Sequence, residues 1–288
     1  MSDNKLLNAI KDKGKTLESE MSFFEHLEAL RWHLIRAAMS IVVFTSVAFW
    51  QYDFIFNDVI MGPFNPKFWT YRMMCKLGNL LHMSGWCLDK INGKIINTEM
   101  AGQFTLQINS CVMIGVILGF PYLLFEIWQF IKPALHEKER KAASGFVFYA
   151  SFLFILGILF GYFIIAPESI RFLAGYTISP MIQNTFTIDS YLSSVATLTL
   201  GTGLVFELPI LIYILASIGI LNAPFMRRTR RYAIVLILII AAIITPTPDM
   251  ITMSVVAAPL LVLYEIGIMV AAAVGKRKAL KSEELMNS

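Results

Sequence analysis

Two runs of 26 residues without a single Lys, Arg, Asp or Glu, Met100 to Phe125 and Ala142 to Pro167, constrain this chain most. About 20 apolar residues in a helix suffice to cross the hydrocarbon core of a bilayer. In that core every backbone N–H and C=O must be satisfied within the chain, so an isolated apolar run there is a helix. The rest of the composition agrees, with 57% hydrophobic and only 15% charged residues. These proportions lie outside the soluble-globular range. The chain reads as an all-α, polytopic membrane protein.

In chain order, residues 1–33 form a charged leader, and Ser22 stands three residues before Glu25 in a capping-box arrangement. A short amphipathic helix from Phe23 to Arg36 is expected to lie on the surface and run into the first span. Six spans follow, at about 34–52, 104–130, 145–166, 191–220, 232–245 and 251–274. Together, residues 34–274 make one membrane domain, and residues 275–288 a tail. A long polar loop, 53–103, separates spans 1 and 2, and Pro167 marks the expected end of span 3. Glu207-Leu-Pro209 interrupts span 4, span 5 is short, and Thr245-Pro-Thr-Pro-Asp249 is an abrupt turn before span 6.

Six spans put both termini on one side. On the side of the termini, 78 residues hold 18 Lys and Arg; on the other side, 80 residues hold six. The positive-inside rule therefore places both termini in the cytoplasm. The net charge of +4 is spread over short clusters between apolar spans, which argues against a nucleic-acid binder. The leader lacks the apolar core and small-residue cleavage site of a secretory signal.

No nucleotide-binding, HExxH, GxSxG or dinucleotide fingerprint is present, and the four histidines lack metal-ligand spacing. An enzyme, a cofactor and a metal site are not expected. Glu207 sits mid-span, two residues before Pro209. An ionisable group there costs a few kcal/mol to insert, so it faces a cavity, pairs, or stays protonated. It is either a polar notch for a substrate or partner helix, or a protonated, purely structural group. Glu265, nearer the inner end of span 6, has the same two readings, with Lys276 or Arg277 as structural partners. Glu126 reads as an ordinary near-surface carboxylate, and so do Glu28 and Glu139 taken alone. Cys75 and Cys87 share the outer loop, where a disulfide is possible but not dictated by spacing.

Several segments, in order, resemble the TatC family, the multispanning receptor of the twin-arginine protein translocase. They are His26-Leu-Glu-Ala-Leu-Arg31, Phe130-Ile-Lys-Pro-Ala-Leu-His-Glu-Lys-Glu-Arg140, Tyr162-Phe-Ile-Ile-Ala-Pro167, Phe206-Glu-Leu-Pro209, Thr245-Pro-Thr-Pro-Asp249 and Tyr264-Glu-Ile-Gly267. The resemblance implies a glove-shaped bundle with a concave face and short spans 5 and 6. It implies capture of twin-arginine signal peptides of folded proteins, for export across the inner membrane driven by proton-motive force. It also implies single-span TatA- and TatB-type partners in a higher-order hetero-oligomer within membrane lipid.

On this resemblance Glu139 and Phe130 match signal-binding positions, with Glu28 and Arg31 on the first helix. Glu207 matches an intramembrane carboxylate on the concave side, and Pro63 a proline of the outer cap. Asp249 and Glu265 match acidic positions around the last span. Two departures stand out. The family motif is His-Leu-x-Glu-Leu-Arg, whereas here Ala29 holds the glutamate's place and Glu28 precedes it. One residue turns a helical side chain by about 100°, so Glu28 reaches the site only if its helix tilts. The first outer loop is also longer than usual. The alternative from another class is an ion-coupled small-molecule transporter that uses Glu207 and Glu265 as ion sites.

Overall fold

The computed structural model describes residues 23–80, 87, 91, 93–131, 145–179, 181–245 and 250–286. Helix α1 runs without a break over Phe23–Trp50, so the amphipathic helix and the first span that it runs into are one rod. Ser22 lies outside the described residues. The expected polar loop is largely built. A π-helical turn, Ile55–Ile60, and a 3-10 turn, Gly62–Phe64, lead into α2, Trp69–Leu80. Strand β1, Lys94–Ile96, then pairs in parallel with β2, Thr185–Thr187, with Lys94 opposite Thr185. Cys75 and Cys87 are joined by a disulfide in this cap.

The long helices follow. Helix α3 is Gly102–Ile131 and α4 is Phe146–Gly175, with a π-helical stretch at Gly161–Ile165. Helix α5 is Ile188–Phe206 and α6 is Leu208–Ile218, with Glu207 as the joint between them. Short α7, Ala223–Arg228, leads to α8, Arg230–Ile244, and α9 is Met250–Met286. Among the described residues five helical stretches are long and apolar enough to cross a membrane: Glu28–Trp50, Gly102–Ile131, Phe146–Gly175, Ile188–Ile218 and Met253–Leu280.

The packing suits a bilayer. Helix α1 lies along α3 for most of its length, and its other face leaves Val42, Val43, Val47, Phe49 and Trp50 exposed. A soluble protein would not leave such a stripe uncovered. The core is a set of small clusters between neighbouring helices. Phe120, Leu124, Ala150, Phe154 and Ile158 join α3 to α4. Leu198, Phe206, Ile237, Ala241, Val256 and Leu260 join α5, α8 and α9. Helices α4 and α5 cross at Gly157, where an added Cβ would stand 2.9 Å from the Gly203 Cα. Small residues allow such backbone approach when apolar burial alone cannot drive helices together.

Pro167 does not end α4, contrary to the expectation from sequence. Proline has no N–H to offer the carbonyl one turn earlier, here that of Phe163. The Thr70 hydroxyl of α2 donates to that carbonyl instead, and the helix runs on to Gly175. Other hydroxyls fasten the cap in the same way. The single Tyr71 O–H is shared between the Pro63 and Pro167 carbonyls, both at 2.9 Å. Tyr162 donates to Val59 at 2.5 Å, and Tyr191 to Ile60 at 2.6 Å. Tyr71 is fully buried, and burial pushes its phenol well above the ordinary value.

Tyr71→Phe is expected to cost about 1–3 kcal/mol, because the buried O–H that two carbonyls share is lost. The thermal midpoint of the purified protein should drop by several degrees, with helix content by circular dichroism unchanged. A midpoint equal to that of the native chain would contradict the role given to this hydroxyl. The raised phenol also sets a pH dependence. Its contribution is constant below pH ~10 and is lost above it, where the unfolded chain's phenol ionises and the buried one does not.

Candidate functional site

Three polar places interrupt the apolar helices. The first is at the end of the bundle away from the cap, where α1 meets the last turns of α3. Glu126 is buried, with 3% of its surface exposed. Its Oε2 lies 2.5 Å from His33 Nδ1 and 3.8 Å from an Arg36 guanidinium nitrogen, both on α1. The His33 ring meets Phe130 edge-on, with centroids 6.3 Å apart and planes at 67°. Glu28 and Arg31 are exposed at the start of α1, while Ala29 between them is partly covered. The backbone thus keeps position 29 on the covered side and turns Glu28 to the open side.

Glu139, the residue that the resemblance puts beside Phe130, lies outside the described residues, as does Asp249. The structure therefore brings Phe130 to a cluster the sequence reading missed. That reading passed over Glu126 as an ordinary surface carboxylate and His33 as a scattered histidine. A signal was available: Glu126 directly ends the charge-free run of α3, where a carboxylate needs a partner. His33 and Arg36, three apart on α1, were the candidate partners on one helical face.

The second place is Glu207. It caps the end of α5, its N–H donating to the Leu204 carbonyl at 3.1 Å, and Pro209 opens α6 behind it. Proline is tolerated in a first helical turn because that N–H has no intrahelical partner anyway. Both Glu207 carboxylate oxygens are shielded, and among the described residues neither has a hydrogen-bond partner.

The third place is Glu265 on α9, which pairs with Arg230 of α8 at 2.8 Å. This corrects the expected partners, Lys276 or Arg277. Helical spacing puts those residues just over three turns away on the same rod, whereas α8 lies alongside. Both groups are about half exposed, so the pair is worth at most about 1 kcal/mol. Lys278 instead donates to the Ala216 and Ser217 carbonyls at 3.3 and 2.5 Å, closing α6 where Gly219 turns left-handed. Pro63 is buried in the cap, its carbonyl held by Tyr71.

A family model for the Sec-independent protein translocase protein TatC matches residues 25–259. A TatC protein of Blattabacterium is 38% identical over 266 residues, 92% of this chain and 100% of that relative. One from Koribacter versatilis is 35% identical over 92% of this chain and 90% of its own length. Among solved structures, a crystal structure of a twin-arginine translocase receptor, TatC, superposes with a TM-score of 0.62. It is 27% identical and covers 87% of this chain and 100% of its own. A second crystal structure of that receptor, in DDM, gives 0.66 at 29% identity, covering 86% of this chain and 99% of its own.

Proposed function

Because the chain belongs to the TatC family and is a non-enzymatic subunit of the twin-arginine translocase, we propose that it is the receptor that reads the arginine pair of signal peptides. The cap end then faces outward and both termini lie in the cytoplasm, an orientation supported by the threefold excess of Lys and Arg in the inner segments. Residues 1–33 and 275–288 are its cytoplasmic leader and tail. Helix α8, only 15 residues long, is the short fifth of six spans in a glove-shaped bundle of the inner membrane.

The observation that carries the reading is the placement of Phe130. It ends α3 against His33, immediately before the segment that holds Glu139. A carboxylate there takes a guanidinium through two parallel charge-assisted bonds, a fork that lysine cannot fill. Exposed Glu28 and Arg31 border the same end. Glu207, with its shielded and unpartnered carboxylate, is the polar notch for a substrate segment or a TatA- or TatB-type helix. Glu265 on the last span is a further partner contact, and Asp249 and Pro63 belong to the outer cap.

The test is direct binding. The full chain in lipid nanodiscs should hold a fluorescent Arg-Arg signal peptide at least tenfold tighter than its Lys-Lys version. Equal affinity for the two would sink the receptor reading.

A further inference from the structure

One imidazole touches two residues of α3. His33 Nδ1 lies 2.5 Å from Glu126 Oε2, and the same ring meets Phe130 edge-on. Glu126 and Phe130 are four residues apart, one turn of helix, so they share the stripe of α3 that faces α1. Helices α1 and α3 are joined along this stripe, and Glu126 is buried in it with Arg36 as a more distant second partner. A hydrogen bond to one ring nitrogen fixes the orientation of an imidazole. Phe130 meets that fixed ring in a T-shaped contact.

We infer that His33 is a positioning residue: held by Glu126, its ring sets the orientation of the Phe130 ring for signal-peptide binding. The inference rests on the proposed role of Phe130 in signal binding. It differs from a plain staple between α1 and α3 in one measurable way. A residue acting through Phe130 matters only while Phe130 is present, whereas a staple weakens the protein whether or not Phe130 is there.

A mutant cycle on the full chain in nanodiscs separates the two. Its members are Phe130→Ala, the paired change His33→Leu with Glu126→Gln, and all three together. Changing both members of the pair avoids leaving a buried charge unpaired. Phe130→Ala and the paired change are each expected to weaken Arg-Arg peptide binding by about tenfold, roughly 1.4 kcal/mol. The triple variant should bind no worse than Phe130→Ala, because residues acting through one another are not additive.

Unchanged peptide affinity in the paired variant overturns the inference, and so do losses that multiply to about 100-fold in the triple variant. Should the paired variant fail to fold, His33→Gln enters the cycle in its place. It keeps a donor toward Glu126 and removes the ring, and the same outcomes decide. A native chain that does not prefer Arg-Arg over Lys-Lys removes the receptor reading and this inference with it. A native preference that Phe130→Ala abolishes and the His33 variants leave intact removes this inference alone.

Discussion

Glu139→Ala is expected to abolish export of a twin-arginine reporter while the chain still inserts and accumulates in the membrane. The carboxylate offers two oxygens to one guanidinium, and hydrogen bonds to charged groups contribute about 1.5–3 kcal/mol each. Losing two of them lowers affinity by roughly two orders of magnitude or more. Export that depends on capturing a scarce signal peptide then falls to background. Glu139→Gln keeps one acceptor and the shape of the side chain, so it should retain weak activity and rank between the two. Reporter export and membrane abundance, measured in the same cells, give the answer. Normal export by a stably inserted Glu139→Ala protein would remove this residue from the site.

Glu207→Leu is expected to stabilise the protein and to weaken its coupling to partner helices. Its two oxygens are shielded and have no hydrogen-bond partner among the described residues. A carboxylate in that position is a standing cost, on the order of 2–3 kcal/mol at a helix centre on insertion scales. Leucine removes the cost and fills similar space, so the thermal midpoint in detergent should rise. The same change erases the polar notch at the break between α5 and α6. Crosslinking of a single-span partner near this break, and reporter export, should both fall. Glu207→Gln keeps a polar group and should lie between the two in both measurements. A Glu207→Leu protein that melts lower than the native chain would show that the carboxylate is structurally bonded, the other role its position allowed. Sites that lower stability in exchange for activity are where such opposed effects are found.

Both expectations begin from features visible in the sequence, but at different depths. The charge-free runs announced α3 and α4 because helix formation in an apolar medium is a local requirement. The break at Glu207 was equally legible, since proline acts on its own turn of helix. The cap was not. Residues 53–103 looked like a polar loop because the groups that organise α2 are distant in the chain. Tyr71 reaches Pro167 across 96 positions, and Thr70 reaches Phe163 across 93. Pro167 illustrates the limit. From sequence it is a helix breaker, yet a hydroxyl from another element donates to the carbonyl one turn before it and α4 continues.

The same distinction runs through the functional site. Phe130 and Glu139 were named from a contiguous motif, as were Arg31 and the displaced Glu28 beside Ala29. Glu126 and His33, 93 residues apart, were each ordinary in their own neighbourhoods. What the sequence determined alone was the solvent this chain folds in, its helical class, its charge asymmetry and the motifs of its family. These follow from hydropathy and spacing within one helix. Which carboxylate meets which partner, as buried Glu126 meets His33 and half-exposed Glu265 meets Arg230, was decided by the packing of α1 on α3 and α8 on α9. Such pairing acts through space over a few ångströms, and chain separation carries no record of it.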